Sequence, residues 1–464
     1  METRPAAARY RRDLGDGLIV RWSTMDDAER LAHLFGTVWR NSADEPINPR
    51  MQEVMRRHVR GGYPLVGPGD CALVEATEAA GRPIVACTFL WREQWSFEGI
   101  PFEIGRPENV ATDPAYRNRG LVRHMFELVH ARSAAERHPL QAITGIPHFY
   151  RQFGYEYAFD LHGRRVAYTA LLPPAPPDTP EPYALRPATV ADVPRITELY
   201  QRRRAESVVW NEVGEQYWRY LVEVWGDPSA PHDPLAMGVG ECLQILVDAT
   251  GEVCGYAMVA AKLWGSDLQI LSVELAPQVS LVSAAPPLLR ALHAYGDRLP
   301  SLATNPAPLR ELSLYLGRTH PLNAVLAPSL APITELPYAW YVRVPDLLAF
   351  LQLITPALER RLANSPAAGY SGDLTISLYR SGLHLRFDAG HLAEVAPWQA
   401  PPYSANPDAG FPALVFLQLV FGYRSLADLR YAFPDVSANH KAELLLNALF
   451  PARPSWVMPI LPPG

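Results

Sequence analysis

Glu108-Asn109-Val110-Ala111-Thr112-Asp113-Pro114-Ala115-Tyr116-Arg117-Asn118-Arg119-Gly120-Leu121-Val122-Arg123 changes character twice within a short span. Glu108–Thr112 reads as a strand and Asp113–Tyr116 as a turn. From Leu121 the apolar residues Leu121, Val122, Met125, Phe126 and Val129 recur at helical spacing. A strand, a basic loop with one glycine and then a helix makes an anion cradle. The first amides of a helix have no intrahelical acceptor, and the helix dipole places partial positive charge beside them. Arg117, Arg119 and Arg123 add whole charges, and Gly120 lets a ligand approach the backbone. The expected ligand is a diphosphate across Asn118–Arg123. The loop lacks the Gly-Lys-Ser/Thr of a nucleotide-triphosphate loop and the repeated glycines of a dinucleotide fingerprint.

Downstream, Thr144-Gly145-Ile146-Pro147-His148-Phe149-Tyr150-Arg151-Gln152-Phe153-Gly154-Tyr155 predicts a strand end, then a short helix carrying Phe149, Tyr150 and Phe153 and ended by Gly154. Upstream, Ile19–Asp27 reads as a strand followed by a helix cap at Thr24, with Asp27 three residues on. Ala184–Asp192 repeats the pattern with Thr189 and Asp192. Each copy continues into a paired-strand pattern, Cys71–Glu75 with Ile84–Leu90 and Gln244–Val247 with Val253–Met258. Between the copies lies Leu171–Tyr183, LLPPAPPDTPEPY, whose prolines favour an extended linker. From about Tyr341 the texture changes again. Val344-Pro345-Asp346 predicts a helix start with Pro in the first turn. Leu374–Tyr379 and Leu383–Phe387 predict a hairpin, and Pro412–Phe421 and Ala442–Leu449 apolar helices, before the proline-rich tail Pro451–Gly464. The division is 1–170, 171–183, 184–340 and 341–464, and the fold class is α/β (α+β).

The strand–Arg-x-x-Gly–helix unit followed by Tyr-x-x-Phe-Gly-Tyr resembles the acetyl-CoA-binding motifs of the GNAT N-acetyltransferases. Arg117 and Gly120 match the family's phosphate loop, and Val122 departs from its last small position. The whole plan resembles the enhanced-intracellular-survival (Eis) branch: an active GNAT domain, a degenerate GNAT domain and a sterol-carrier-protein-like domain. The second copy's loop, Ala276-Pro277-Gln278-Val279-Ser280-Leu281, has neither Arg nor Gly.

The resemblance implies acetyl-CoA as co-substrate, with no metal, and a small-molecule primary amine as acceptor. Members of the branch that acetylate aminoglycosides make an aminoglycoside-like or other polyamine acceptor one expectation, although Phe35 is followed by Gly36-Thr37-Val38-Trp39 and not by the acidic residue those members carry. The resemblance places the pantetheine along the backbone of Val110, Ala111 and Thr112 and the diphosphate on Arg117–Arg123, and it adds Gly145 and Ile146 to the cofactor-binding residues. Tyr150 stands where the family has its general acid. The base is either the C-terminal carboxylate at Gly464 or Glu108. Phe35, Trp39, Trp91, Trp95 and Phe149 are candidate walls of the acceptor pocket, although aromatic stripes also build cores. His148 reads as an exposed residue at a helix start. The branch also implies a homo-oligomer. The alternatives of a different class are a lipid- or small-molecule-binding protein that uses the third domain, and a protein-lysine acetyltransferase.

Composition bounds these readings. The chain has 464 residues, 48% hydrophobic and 19% charged, enough apolar material for packed cores and about three domains. Lys+Arg total 42 against 48 Asp+Glu, a net charge of -6, so no nucleic-acid partner is expected. Cys71, Cys87, Cys242 and Cys254 are too widely spaced for a zinc site and too few for a disulfide scaffold. Met1–Arg12 has no apolar core and no segment is long enough to span a bilayer, so no membrane partner and a cytoplasmic location are expected.

Overall fold

A computed structural model of the chain describes residues 4–40, 42, 44–225, 241–301, 307–399 and 406–460. The first unit runs β1 (Arg11–Gly15), β2 (Leu18–Trp22), α1 (Ala28–Val38), α2 (Pro49–Arg60), β3 (Cys71–Ala76), β4 (Ile84–Phe97), β5 (Ile100–Thr112), α3 (Leu121–Ala135), β6 (Leu140–Ile143) and β7 (Glu156–Leu161). The second runs β8 (Arg164–Tyr168), β9 (Tyr183–Pro187), α4 (Val193–Gln201), β10 (Val209–Asn211), α5 (Glu215–Trp225), β11 (Glu241–Asp248), β12 (Val253–Ala260), β13 (Asp267–Leu275), α6 (Leu281–Gly296), β14 (Glu311–Leu314), α7 (Leu322–Val325) and β15 (Ile333–Glu335). After β16 (Tyr338–Arg343) the last unit holds α8 (Leu347–Leu353), α9 (Thr355–Ala363), β17 (Gly372–Ser377), β18 (Gly382–Asp388), β19 (His391–Pro397), β20 (Ala409–Gly410), α10 (Val415–Val420), α11 (Leu426–Ala432), β21 (Ser437–Ala438) and α12 (His440–Leu449). The chain is mixed α/β, as its periodicities require.

Both copies open on the same device. The Asp27 carboxylate accepts from the Thr24 amide (2.8 Å) and from the Arg21 guanidinium (2.8 Å); Asp192 accepts from the Thr189 amide (2.8 Å) and from Arg186 (2.7 Å). Each acid thus caps its helix and neutralises the arginine of the preceding strand.

The sheets cut the chain at other places than the linker does. The first sheet has the order β1-β2-β3-β4-β5-β6-β16-β7, and the second β15-β8-β14-β13-β12-β11-β9. β8 lies before the linker yet pairs antiparallel with β14. β16 lies beyond the second copy yet pairs antiparallel with both β6 and β7. Each copy therefore takes its inserted strand from the other's side of the chain. The two crossing segments touch where Gly163 (φ +87°) meets the Pro337 ring, which a Cβ at 163 would approach to 2.8 Å. β10, from the second copy, joins the first sheet along the edge of β4 at Trp95–Phe97.

The third unit has a five-stranded sheet of order β19-β18-β17-β20-β21. Its apolar side chains form one continuous core with the first sheet: Phe350, Leu385 and Phe421 belong to the same cluster as Trp95, Phe159 and Trp340. Pro345 lies outside α8, because Asp346 takes the cap, its carboxylate accepting from the Ala349 amide (3.0 Å). Within the tail Trp456, Val457, Met458 and Ile460 are all buried. No helix among the described residues is long and apolar enough to cross a membrane.

Candidate active site

The loop before α3 is a cradle of unused donors. Asn118 (φ +63°) and Gly120 (φ +74°) are both left-handed, turning successive amides toward one side. Among the described residues, the amides of Asn118, Arg119, Gly120, Leu121 and Val122 have no acceptor; the next two, Arg123 and His124, bond back to the Gly120 carbonyl. A Cβ at Gly120 would meet nothing within 4 Å, so the backbone there is open. Arg117, Arg119 and Arg123 are exposed and have no acidic partner among the described residues. Arg119 lies over Tyr116 (5.0 Å) and Arg123 over Phe153 (5.4 Å), so aromatic faces hold both guanidinium groups without neutralising them.

A cleft leads away from this cradle. β5 and β6 pair only at Ile104–Leu140 and Gly105–Gln141, after which the strands diverge. Gly105 is required at the point of divergence, since a Cβ there would fall 2.6 Å from Ser133 Oγ. Further on, the β4–β5 register slips between Phe89–Glu108 and Cys87–Ala111, with Asn109 at φ +54°. This bulge bends β5 and leaves the edge of Val110, Ala111 and Thr112 without a strand neighbour on the β6 side. An unpaired strand edge offers backbone donors and acceptors to an extended, amide-bearing ligand.

Tyr150 stands at the far end of the cleft, on a 3-10 turn from Phe149 to Phe153 that Gly154 (φ +86°) ends. It is 4% exposed, and its hydroxyl has no hydrogen-bond partner among the described residues. Gly145 (φ +121°) passes under it, with the position of its missing Cβ 3.6 Å from the Tyr150 hydroxyl. The exchanged strand holds this loop. Tyr341 donates to the Ile146 carbonyl (3.1 Å) and lies 3.0 Å from the Tyr157 hydroxyl, which accepts from the His148 amide (3.0 Å). Burial, with Glu108 and Tyr338 nearby, pushes the Tyr150 phenol above its usual range. It is therefore protonated at neutral pH and able to donate.

Glu108, on β5 two residues before Val110, belongs to a buried cluster. Arg106, fully buried, donates to Glu108 (2.9 Å) and to Glu93 (2.7 Å); its guanidinium lies 5.3 Å from the Trp91 ring and 4.7 Å from the Trp340 ring. Thr144 donates to Glu108 at 3.3 Å. Burial raises the Glu108 carboxyl above its usual range, Arg106 opposes that, and Glu93 reinforces it. Glu93 and Arg106 were not foreseen. The signal was present in the alternation: Glu93 shares a strand face with Trp91 and Trp95, and Arg106 with Ile104, so charged groups at core positions required partners.

The structure brings Arg117, Asn118, Arg119, Gly120, Leu121, Val122 and Arg123 together as one loop and helix start, with Gly145, Ile146 and Tyr150 on the adjoining turn. The aromatic candidates separate. Phe35 and Trp91 belong to one cluster under α1 and α2, and Trp39, 48% exposed, stacks on Phe35 at 5.4 Å. Phe149 packs on Tyr150 instead, and Trp95 is core beside Trp340. His148 is an exposed cap at φ +60°. Gly464 lies outside the described residues. In the second copy Ser280 caps α6 with its own side chain, accepting from the Ser283 amide (3.5 Å), and no arginine or glycine stands in the loop before it. Among the described residues no group of three or more His, Cys, Asp or Glu side chains is arranged to hold a metal ion.

Residues 20–158 match the family described as the acetyltransferase (GNAT) domain. No curated protein matches the chain in sequence. Solved structures share the fold over nearly the whole chain. A conserved protein of unknown function from Enterococcus faecalis V583, titled a probable N-acyltransferase, is 15% identical, with 95% of this chain and 99% of that one covered and a TM-score of 0.64. A GCN5-related N-acetyltransferase from Kribbella flavida is 17% identical, covering 95% and 98%, with a TM-score of 0.62. Eis1 from Mycobacterium abscessus is 14% identical, covering 95% and 99%, with a TM-score of 0.58. The amide cradle and the open strand edge thus lie within residues 20–158, a GNAT acetyltransferase domain.

Proposed function

We propose that this chain transfers an acetyl group from acetyl-CoA to the primary amine of a small molecule, by direct attack in a ternary complex. The observation that carries the reading is the run of unused amides from Asn118 to Val122, flanked by three arginines without acidic partners and leading into the open edge of β5. A diphosphate at the helix start and a pantetheine along Val110–Thr112 direct the thioester toward Tyr150. Tyr150 then protonates the departing thiolate, and positioning supplies much of the rate. Backbone amides of the β5 edge stabilise the tetrahedral oxyanion.

Two carboxylates compete as base. Glu108 is supported by its place at the cleft and by burial that makes it more basic than a free carboxylate. Gly464 is supported by the docked tail: Ile460 packs in the same cluster as Phe35 and Trp91. Removing residues 461–464 separates them. Retained turnover assigns the proton to Glu108, and lost turnover with intact CoA binding assigns it to the terminus.

Of the candidate wall rings Trp39 is 48% exposed while Phe35 and Trp91 are buried in the core, and the exposed ring on the α1 side supports an amine carried on an apolar or aromatic body. In this reading the third unit, sterol-carrier-protein-like in the Eis manner, is a scaffold that delivers the tail. Its interior is filled by its own rings, Phe411 against Phe416 at 5.1 Å and Phe416 against Phe450 at 5.9 Å. The test is acetyl-CoA-dependent thiol release with a panel of primary amines, including an aminoglycoside and a lysine peptide, beside calorimetry with CoA. No heat of binding with CoA would overturn the proposal.

A further inference from the structure

The cluster at Glu108 extends beyond the acetyltransferase domain. One guanidinium, Arg106, stands between two carboxylates, and the two are held very differently. Both oxygens of Glu93 are engaged: Oε1 by Arg106 at 2.7 Å, and Oε2 by the Trp95 indole at 2.9 Å and the Asn211 amide at 3.3 Å. For Glu108 the side-chain contacts all fall on Oε1: Arg106 Nε at 2.9 Å, Arg106 Nη2 at 2.8 Å and the Thr144 hydroxyl at 3.3 Å. Asn211 belongs to the second copy and reaches Glu93 because β10 pairs with the end of β4, Asn211 opposite Trp95. The same Asn211 amide donates to the Met458 carbonyl of the tail at 3.2 Å. Apart from half-buried Thr144 these side chains are buried, Arg106 completely and Asn211 to 2% exposure. The other groups facing the cluster are Tyr150 across the cleft, the Trp91 and Trp340 rings over Arg106, and His162, whose imidazole is held neutral by burial and by Arg106.

We infer that Glu93 and Asn211 are positioning residues for the base: they hold the Arg106 guanidinium shared, and so keep Glu108 the proton-accepting carboxylate of the cluster. One cation cannot neutralise two buried carboxylates, and the charge left over falls on Glu108, whose second oxygen has no side-chain donor while both oxygens of Glu93 are engaged. That carboxylate is 6% exposed and accepts from Thr144, the residue that follows β6. The degenerate copy and the tail thereby act on the chemistry from behind the sheet, without touching the acyl donor. The inference rests on the reading of Glu108 as base given above.

Glu93→Gln keeps the shape and removes one charge. Arg106 then serves Glu108 alone, and the loss of a like charge acts in the same direction. The Glu108 carboxyl is expected to titrate lower by about one to three pH units. The acid limb of kcat/KM moves to lower pH by the same amount, and plateau kcat falls because the base is weaker, with KM for acetyl-CoA unchanged. Asn211→Ala frees Glu93 to turn away and gives a smaller shift of the same sign. In the Glu93→Gln background it adds nothing, since its target is gone.

The Glu108 titration is read directly by infrared difference between each full-length variant and the same variant carrying Glu108→Gln, which needs no turnover. An unmoved Glu108 midpoint in Glu93→Gln, or an additive effect of Asn211→Ala, would overturn the inference. A midpoint that moves while the acid limb stays in place would overturn Glu108 as base and with it the positioning role. Absence of acetyl transfer in the wild type would be the separate failure of the proposed function.

Discussion

Tyr150 and Gly120 carry opposite demands on a residue. In the proposed reaction Tyr150 supplies an atom and Gly120 supplies none. The phenol is buried, raised and without a partner, so removing its hydroxyl costs no hydrogen bond among the described residues. Tyr150→Phe is expected to lower kcat by about ten- to a thousandfold while CoA affinity, measured by calorimetry, stays within error. Gly120 has open space around it, so Gly120→Ala meets no clash and its cost is conformational alone. At about 1–2 kcal/mol for a left-handed alanine, CoA binding should weaken roughly 5- to 30-fold. Both residues were legible in the sequence, because a motif of glycine, arginine and tyrosine at short spacing is local chemistry. The partners of Glu108 were not, since Glu93 and Arg106 meet only across the β4–β5 ladder.

At the scale of elements, the start of each copy shows how much local physics decides. Thr-x-x-Asp before an apolar stripe predicted a capped helix twice, and both are present with an arginine bound to the acid. The second copy gives a measurable sign. Arg186 leads in holding the Asp192 carboxyl down, from 3.8 to about 2. A depressed acid stabilises fully above its unfolded pKa and loses that contribution as pH falls through the folded value. Asp192→Asn should therefore lower the thermal midpoint at neutral pH, and the gap to wild type should close between pH 4 and about 2. A gap that persists at pH 2 would contradict this. α8 begins at Leu347, at least two residues later than a first turn holding Pro345 requires, because Asp346 suits a cap and the cap's hydrogen bond won.

The whole molecule is held by exchange. β16 closes the first sheet from beyond the second copy, β8 closes the second from before the linker, and the tail runs through the seam. Trp456 is the tail's anchor: 3% exposed, 5.2 Å from the Arg203 guanidinium, with its ring where a Cβ on Gly317 (φ +80°) would sit. Its amide donates to Ser207 Oγ at 2.8 Å. Trp456→Ala is expected to cost about 3–5 kcal/mol in urea unfolding. Gly317→Val should act on the same contact from the other side, so the two losses should fall well short of adding in the double variant.

Periodicity, caps, turns and the Arg-x-x-Gly loop are properties of a few consecutive residues, so the sequence alone determined the mixed α/β class, the repeated start and the position of the cradle and of Tyr150. Which strand completes which sheet was decided only in three dimensions, because β8 and β16 pair with whatever edge is open rather than with their neighbours in the chain. The sharing of Arg106 between two carboxylates, and the reach of Asn211 and Met458 to one of them, were decided in the same way. Electrostatic coupling depends on distance through a buried, low-dielectric interior, and separation along the chain carries no record of that distance.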